Sequence, residues 1–583
     1  MKKIKLLISF FLILIIVFIF SKNDFKKAPP TLYFNANIIT INNEQPNANA
    51  MLVEDGIIKE IGDLKLFKNS TVKKINLKGA TVMPGFIDVH THFALSMFFE
   101  KMYDLSGFKH ESNSDVWSYF ESCAKNVTKN EWLVFKGLDP VLVPNLKTPT
   151  LKYLDQIAPN NPVVIFSQSL HSYWVNTKAF ESVGINNIVK NHSEKSYYEK
   201  DSLGNLTGLI IEQEAFKPFI EKLKTEVLTP KLLSNSSKKV MKEYAKNGNT
   251  TIVSTGLTIN DSKPLILMKH LSDKKPSLLG NFLTLIKQLP ERSPTPRHFI
   301  YVRHDMAHIL PKTKGEINDF YDIIGIKHWY DGSPYTGSMY MNNPYLISNL
   351  TTKKLHIPPN TKGKALINKE KLKQFIKSYH NKGWQIAIHT QGNAAITETV
   401  NVFDELKSEL DYSNSRHRLE HCLMLPNSEI LRIKKLQLLP SFHINHLLYY
   451  GEALNNDILG KKRTSKILAI KSTLNENIKS TLHADQPMFE SNPFRLIQTA
   501  IERKTKEGNI IGINERINLL EAIKSLTINA AFQIHKEDKI GSLEKGKYAD
   551  FIIVNKNPYT LKTNEIGEIK CIKTFINGNQ VNY

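Results

Sequence analysis

Two histidines that lie two residues apart carry the strongest chemical signal in the sequence. His90 and His92 end the segment TVMPGFIDVHTH, whose apolar residues predict a β-strand after the Pro84-Gly85 turn. Side chains at positions i and i+2 of a strand share one face, so both imidazoles can bind one metal ion at the strand's end. A His-x-His pair alone is weak evidence, but its place after PGFID favours a metal site.

Three further candidate ligands follow later predicted strands. His389 ends WQIAIHT, His421 follows HRLE, and Asp485 follows STLHA. Each alone is more often an ordinary core or surface residue, but with the first pair they offer four imidazoles and a carboxylate at strand ends. These donors suit Zn²⁺ or a similar divalent ion, with one ligand position left open for water. We therefore expect a divalent ion, of which zinc is the first choice.

The elements that must position these residues form an α/β domain between strand-rich chain ends. Apolar strand-like runs alternate with helical patterns in residues 84–540, which indicates a barrel or a doubly wound domain. This span exceeds the roughly 250 residues of a typical (β/α)₈ barrel, so we expect a large insertion at about 95–232. Short strands in 31–83 and 541–583 predict one small β-domain built from both ends, with hairpin turns at Asp55-Gly56 and Asn577-Gly578.

Composition excludes several classes of protein. The 583 residues are 41% hydrophobic and 23% charged, which is ordinary globular usage, and three cysteines rule out a disulfide scaffold. The net charge of +22 could suggest a polyanionic partner. The lysines are nevertheless spread along the whole chain, without a dense basic block that carries interleaved aromatics. A solvated lysine-rich surface is the better interpretation, and we expect no nucleic acid as a partner.

The first residues resemble an export segment. Three lysines within the first five residues precede the apolar run Leu6–Phe20, which is interrupted only by Ser9. This is the pattern of a signal peptide, and the run is short for a full membrane span. No small-residue cleavage motif precedes Ser21. We expect residues 1–24 to be a signal peptide or an N-terminal anchor, and the protein to be exported, either periplasmic or membrane-anchored and facing outward.

The same blocks also carry a resemblance to a known family. PGFIDVHTH, HTQGNAA, RLEHC, HADQP and the terminal GSLEKGKYADFIIV resemble the amidohydrolase superfamily. Residues 154–180 and 326–338 are similar to amidohydrolase family 3, in the branch similar to N-substituted formamide deformylases. The resemblance extends from residue 31 to the C-terminus. It implies a (β/α)₈ TIM barrel, a β-sandwich built from both chain ends, and one or two bound metal ions that serve mainly to hydrolyse carbon–nitrogen bonds other than peptide bonds.

The resemblance also assigns roles to residues. It implies that His90 and His92 bind metal from the first barrel strand, and that His389 and His421 bind it from the fifth and sixth. Asp485, at the eighth strand, would be both a metal ligand and the general base.

Two residues are candidates for the ligand that would bridge two metal ions. A carboxylated lysine at the end of the fourth strand does this in many superfamily members, and Lys327 in GIKHWYDG fits that position. Carbamate formation needs a neutral amine, which a desolvated lysine can supply. The simpler alternative is an ion pair between Lys327 and Asp331. Glu212, in GNLTGLIIEQEA, is the other candidate for a bridging or substrate-binding carboxylate.

Other residues are candidates for substrate contacts. His443 and His446, in SFHINHLLYYGE, and His171, in LHSYWVN, are equally compatible with packing roles. Asn393 stands where the family usually has Asp in HxxGD, so any ion pair made by that Asp is lost. Aromatic residues in the predicted mouth suggest a substrate with an apolar part; these are Trp174, Trp329, Tyr330 and Tyr335.

The function expected from these features is a metal-dependent amidohydrolase. A metal-activated hydroxide would attack an amide or N-substituted formamide, with Asp485 as general base, and the partner would be a small amide-type molecule. Three alternatives stay open: an exported, catalytically inactive binding protein of the same fold, a hydrolase of a cyclic imide or ester, and a basic protein that acts on a polyanionic surface. Membrane anchoring through residues 1–24 and assembly into a homo-oligomer are also left open.

Overall fold

The computed structural model describes residues 28–67, 71–191, 196–227, 229–257, 263–275 and 277–583. The predicted export segment, residues 1–24, lies outside these ranges, so its role stays a prediction. Within the described ranges, no helix combines the length and the apolar character that crossing a membrane would require.

Five short strands open the described chain and lead into a sixth. The bounds are β1 (Thr31–Ile39), β2 (Asn47–Glu54), β3 (Ile57–Gly62), β4 (Lys73–Asn76), β5 (Thr81–Pro84) and β6 (Phe86–Thr91). β1 pairs antiparallel with β2 and parallel with β4 and β5. Asp55 and Gly56 form the predicted turn between β2 and β3, and both have positive φ, at 51° and 78°. Only Gly85 separates β5 from β6, so this sheet is joined directly to the strand that carries His90.

A second sheet lies between β6 and the next barrel strand. Its strands are β7 (Tyr103–Asp104), β8 (Leu133–Leu138), β9 (Val163–Ser167), β10 (Ser172–Val175), β11 (Tyr197–Lys200) and β12 (Leu206–Ile211), hydrogen-bonded in the order β11-β12-β10-β9-β8-β7. The helices of this region are α1 (Phe93–Phe99), α2 (Asn113–Lys125), α3 (Leu151–Ile157), α4 (Thr177–Ser182), α5 (Gln213–Glu226) and α6 (Pro230–Lys246). Strand pairing shows that these strands form one sheet, but it does not test whether the region folds as a separate domain. The domain boundaries given above therefore stay predictions.

Eight parallel strands form a nearly closed barrel, as the sequence predicts. After β6 come β13 (Asn249–Leu257), β14 (Arg297–Arg303), β15 (Tyr321–Trp329), β16 (Gln385–Thr390), β17 (Arg418–His421), β18 (Leu439–Phe442) and β19 (Thr481–Leu482). Each strand pairs in parallel with the next one. Main-chain hydrogen bonds bridge the remaining gap: the N–H of Asp485 donates to the carbonyl of His90 (3.1 Å), and the N–H of His92 donates to that of Gln486 (2.7 Å).

Helices follow the barrel strands and cover them with apolar faces. They are α7 (Lys263–Ser272), α8 (Leu278–Leu285), α9 (Lys369–His380), α10 (Asn393–Leu406), α11 (Asn427–Lys435), α12 (Asn445–Ala453), α13 (Lys461–Thr464), α14 (Ile470–Asn475), α15 (Pro493–Glu502), α16 (Leu519–Ser525) and α17 (Ile528–Gln533). In α10, Ile396, Val400 and Phe403 are fully buried. This three- and four-residue spacing places them on one face, so the helix packs its apolar stripe against the core.

The last strands return the chain to the first sheet. β20 (Phe551–Val554) pairs antiparallel with β5, and β21 (Cys571–Ile576) and β22 (Asn579–Gln580) extend the sheet to the order β22-β21-β20-β5-β1-β2-β3. Both chain ends therefore share one eight-stranded sheet. Its packing into a two-layered sandwich stays a prediction.

A buried ion pair joins this sheet region to the barrel. Arg297 at the start of β14 donates from Nε to Oδ2 of Asp550 (2.6 Å) and from Nη2 to Oδ1 (3.0 Å), and both side chains are buried. Removing one partner of a buried pair costs about 3–5 kcal/mol, because the other charge stays buried and uncompensated.

We expect Asp550→Asn to lower the free energy of unfolding by about 3–5 kcal/mol in urea titrations followed by circular dichroism. The matched control is Lys545→Gln, which removes the exposed ion pair between Lys545 and Glu60. An exposed pair contributes at most about 1 kcal/mol. Equal losses in the two variants would contradict a stabilising role for the buried pair.

Candidate metal centre

Strand ends at one side of the barrel bring the five predicted ligands together. His90 lies on β6, His389 on β16 and His421 at the end of β17, while Asp485 follows β19. Asp485 Oδ1 lies 3.0 Å from His92 Nε2 and 3.6 Å from His90 Nε2, and Oδ2 lies 4.0 Å from His421 Nδ1. The rings of His389 and His421 have centroids 4.5 Å apart. These are the carboxyl ends of the parallel strands, where barrel enzymes carry their active sites.

The donor atoms form three overlapping groups that fit a metal ion. Within the described part of the chain, the groups are His90, His92 and Asp485; His421, His443 and Asp485; and His90, His421 and His483, each with its ligand atoms within 4.8 Å of one another. Imidazole nitrogens and one carboxylate are the donor set of divalent transition metals such as zinc. The side chains present therefore fit a divalent metal.

Electrostatics favour a bound cation. Burial raises the pKa of a carboxyl group, but the hydrogen bond from His92 outweighs it and holds the pKa of Asp485 below its usual range. Burial lowers the pKa of His90 and His421 well below the ordinary value. These imidazoles are therefore neutral near pH 7 and keep a free lone pair, whereas the carboxylate is ionised.

A carboxylate that the sequence analysis missed orients His90. Oε2 of Glu420 lies 2.5 Å from His90 Nδ1, and Arg418 holds the same carboxylate, with Nε 2.8 Å from Oε1 and Nη2 3.0 Å from Oε2. All three side chains are fully buried. Because Nδ1 donates its proton to Glu420, the Nε2 lone pair of His90 is free for a metal.

One feature of the sequence could have pointed to Glu420, namely that it directly precedes the predicted ligand His421. Alternation along β17 points Arg418 and Glu420 to one face and would point His421 to the other. The backbone at His421 instead takes a positive φ of 71°, and Asp485 likewise has a φ of 62°. The strand is therefore irregular at His421, and the side chains of Glu420 and His421 contribute to the same site. The alternation of side chains along a regular strand does not predict this.

Asp331 orients His389 in the same way. Its Oδ1 lies 3.1 Å from His389 Nδ1 and accepts the N–H of Gln391 (2.9 Å), while Oδ2 accepts the N–H of Gly392 (2.9 Å). The alternative in which Asp331 pairs with Lys327 is therefore wrong. Asn393, the departure from the family pattern, accepts the N–H of Asn342 (3.1 Å) as α10 begins.

Lys327 lies on the fourth barrel strand, β15, at the level of the site. Its Nζ is buried and has no hydrogen-bond partner among the described residues. The nearest aromatic contact is the ring of Trp329, 5.2 Å away. Burial lowers the pKa of Lys327 to about 8. A larger share of this amine is neutral near pH 7 than for an exposed lysine.

Glu212 and His171 pair with each other rather than with the ligand groups. Glu212 Oε2 lies 2.9 Å from His171 Nδ1, and more than a third of each side chain is exposed. Both belong to the second sheet region, and neither is a member of the donor groups found in the described residues.

His443 and His446 line the site beside Asp485. His443 Nδ1 lies 3.7 Å from Asp485 Oδ2, and His446 Nδ1 lies 2.7 Å from the hydroxyl of Tyr335. Burial lowers the pKa of His443 to about 4, so it is neutral near pH 7. Nε2 of both histidines is buried without a hydrogen-bond partner among the described residues.

The aromatic residues divide between the site and the core. Tyr335 contacts His446, as above, and the ring of Trp329 lies 5.2 Å from Lys327 Nζ, whereas Trp174 and Tyr330 are buried in hydrophobic clusters. The burial of Trp174 and Tyr330 does not support the prediction that they line the mouth. Phe489, which the sequence analysis did not single out, lies with its ring centroid 5.0 Å from that of His443.

Several contacts join the second sheet region to the site. Asp139 accepts the hydroxyl of Tyr450 (2.7 Å), whose ring lies 4.3 Å from that of Tyr335. Gln168 donates to the carbonyl of Met488 (2.6 Å), three residues after Asp485. The region inserted after β6 therefore packs on the loop that carries the central carboxylate.

We expect Glu420→Gln to weaken metal binding by about 10–100-fold, because the amide holds the His90 tautomer less firmly than a carboxylate does. The dissociation constant would be measured by competition with a chromophoric chelator. Glu515→Gln is the control, since Glu515 is also buried but bonds to Ser472 outside the donor groups. Unchanged affinity in Glu420→Gln, or an equal loss in the control, would argue against this orienting role.

Comparisons with known proteins agree with the sequence resemblance. The profile of the amidohydrolase family matches residues 73–582, which is more than half of the chain. The N-substituted formamide deformylase of Arthrobacter pascens is 22% identical over 570 residues, covering 94% of this chain and 97% of that protein. The Arabidopsis thaliana protein LONG AFTER FAR-RED 3 is 24% identical over 558 residues, covering 94% of this chain and 91% of that protein.

A solved structure supports the fold. A metal-dependent hydrolase of Pyrococcus horikoshii superimposes with a TM-score of 0.70 at 20% identity, covering 92% of this chain and 99% of its own. The resemblance inferred from the sequence blocks is thus confirmed across nearly the whole chain, and the protein belongs to the amidohydrolase family.

Proposed function

We propose that this protein is a metal-dependent hydrolase that cleaves a carbon–nitrogen bond other than a peptide bond in a small amide-type substrate. The observation that carries the proposal is the ionised carboxylate of Asp485 among neutral imidazoles at the carboxyl end of the barrel. Membership of the amidohydrolase family supports it, as does the similarity to a formamide deformylase. N-substituted formamides are the first substrates to test.

Zinc is the metal we propose, as one or two ions. His90, His92 and Asp485 would hold one ion, and His389 and His421 a second, with Lys327 between them as a carbamate. Such an ion lowers the pKa of water from about 15.7 to near 7 and polarises a carbonyl group. The unpartnered and partly neutral Lys327 amine supports the carbamate assignment.

Asp485 is the group placed to move protons. Its Oδ2 faces His443 and His421 at 3.7 and 4.0 Å and makes no closer ion pair with the described residues, so this oxygen is the one available to a reacting water. As general base, Asp485 accepts the proton of the attacking water, and as general acid it returns that proton to the leaving nitrogen. The same carboxylate thus acts in both halves of the hydrolysis.

His446 is placed to bind the carbonyl group of the substrate. When the hydroxyl of Tyr335 donates to Nδ1, the proton of the neutral imidazole is on Nε2, which is buried and unpaired among the described residues. This N–H can donate to an oxygen that gains negative charge during the attack. Tyr335 and Phe489 supply apolar surface next to it, which suits a substrate with an aromatic or aliphatic group.

The cellular location is also a proposal. The lysine-flanked run Leu6–Phe20 supports export, with the enzyme acting outside the cytoplasm. The enzyme would then act on small substrates that are present outside the cytoplasm.

The proposed function is tested by a hydrolysis screen on protein loaded with Zn²⁺. The panel compares N-substituted formamides, N-acyl amino acids, cyclic imides and esters, with release of amine or acid as the readout. We expect turnover of formamides or simple amides that chelator removes and Zn²⁺ restores. Metal uptake without hydrolysis of any compound would favour the inactive binding protein, and turnover of imides or esters alone would change the bond assigned here.

We expect Asp485→Asn to lower kcat by at least about 10²-fold, because an amide cannot accept the proton that general base catalysis requires. The assay is run at saturating Zn²⁺ with metal occupancy measured in the same sample, which separates catalysis from weaker metal binding. Asp305→Asn is the control, because this exposed carboxylate pairs with Arg303 outside the donor groups. A fully metallated Asp485→Asn enzyme that keeps more than about a tenth of kcat would show that another residue is the base.

A further inference from the structure

Helix α8 presents apolar side chains to solvent. Its sequence, LLGNFLTL, contains no charged residue. Five large apolar side chains, on the helix and at the position after it, are each about half exposed, at 47–55%. They are Leu278, Leu279, Phe282, Leu285 and Ile286. Their spacing of i, i+1, i+4, i+7 and i+8 places them on one side of the helix, where they form a single apolar face.

The opposite side of α8 carries small and polar residues and packs on the protein. Gly280 and Asn281 are buried, and the hydroxyl of Thr284 lies 3.2 Å from Nε2 of His270, a buried imidazole on α7. A Cβ atom on Gly280 would lie only 2.7 Å from Nδ1 of His270, so the two helices are in close contact here. A surface helix normally turns its apolar side to the core, so the orientation of α8 is reversed. Exposed apolar faces of this kind mark interaction surfaces.

Basic residues flank the apolar face. Residues 263–292, which include α7 and α8, contain five lysines and one arginine against two acidic residues. One of the acidic residues, Asp273, is largely buried and pairs with Lys269, with Oδ2 3.9 Å from Nζ. The exposed lysines of this segment are Lys263, Lys269, Lys274, Lys275 and Lys287.

This charge favours a lipid surface over a second protein as the partner of the apolar face. Anionic headgroups attract lysines that lie close to a bilayer, and a helix with one apolar side and flanking lysines binds in the plane of the interface. Protein–protein interfaces are instead depleted in lysine relative to the rest of the surface. Crossing a bilayer takes about 20 residues. The eight residues of α8 are too few for that, so the helix would lie along the surface.

We propose that α8 is an interfacial helix that lies on a bilayer containing anionic phospholipids. The apolar face enters the boundary between headgroups and acyl chains, and the flanking lysines lie at the level of the phosphates. The inference does not depend on hydrolysis. The lysine-flanked run Leu6–Phe20 supports it, because an uncleaved run would hold the chain at the same surface. α8 adds a second attachment, and two attachments fix the orientation of the barrel on the bilayer where one does not.

The test uses the full chain with vesicles of phosphatidylcholine and phosphatidylglycerol in equal parts, and with vesicles of phosphatidylcholine alone. Because residues 1–24 can bind vesicles by themselves, both readouts are local to α8. One is hydrogen exchange of the amides of residues 278–286, and the other is the fluorescence of Phe282→Trp in vesicles with brominated acyl chains. Leu431→Trp is the matched control, since Leu431 is 56% exposed on α11, which follows β17, whereas α8 follows β13, four strands earlier in the barrel.

We expect the amides of residues 278–286 to exchange more slowly by about tenfold or more on the mixed vesicles, because opening the helix would return its apolar side chains to water. The fluorescence added by Phe282→Trp should shift to the blue and be quenched by brominated chains, and that added by Leu431→Trp should not. Leu279→Asp combined with Phe282→Asp should abolish the slowing, because a carboxylate does not enter the apolar boundary. Lys275→Gln combined with Lys287→Gln should reduce it.

All of these substitutions are at exposed positions, so the side of α8 that packs on α7 stays intact, and circular dichroism checks that each variant is folded. Protein that binds the mixed vesicles with unchanged exchange and no quenching of Phe282→Trp would overturn the proposal, because the N-terminal segment alone would then account for binding. Slow exchange without vesicles, together with a dimer in sedimentation that Phe282→Asp dissociates, would assign the face to a second copy of the chain. A failed hydrolysis screen would affect neither result.

Discussion

The carboxylate of Asp485 is the negative charge around which the histidines of the barrel end are arranged. It is ionised, 14% of its side chain is exposed, and it lies close to imidazoles from β6, β17 and the segment after β18. An anion that is largely removed from water among neutral nitrogen donors is costly without a partner, and a cation satisfies the carboxylate and the lone pairs together. The same desolvation that keeps the imidazoles unprotonated makes them ligands, so burial and metal affinity have one physical origin.

The barrel holds these side chains in place through main-chain hydrogen bonds and through carboxylates that are not themselves proposed ligands. The main chain of Asp485 and His92 ties the loop after β19 to β6. Glu420 and Asp331 then fix the ring orientation of His90 and His389, and Arg418 neutralises Glu420. The ring orientations of His90 and His389 are therefore set by carboxylates from other segments of the barrel, so the geometry of these two ligands depends on how the barrel strands are brought together.

Much of this could be predicted from local patterns. The alternation of strand and helix predicted a barrel or a doubly wound domain, the family resemblance implied the barrel, and strand ends with His or Asp predicted residues that meet there. The rest depends on contacts between residues far apart in the chain. Glu420 is 330 positions from His90, and Asp331 is 58 positions from His389. Positive φ values at His421 and Asp485 also break the period of two, and exposure of aromatics such as Trp174 is a property of packing that no local pattern contains.

The sheet inserted after β6 contacts the site without supplying its candidate metal ligands. Its contacts through Asp139 and Gln168 reach Tyr450 and the loop after Asp485, but it supplies none of the ligands in the donor groups of the described residues. The candidate metal ligands and the inserted sheet are therefore encoded in separate stretches of sequence. A substitution in the inserted sheet can alter the contacts with Tyr450 and with the loop after Asp485 while the imidazoles and their carboxylates stay as they are.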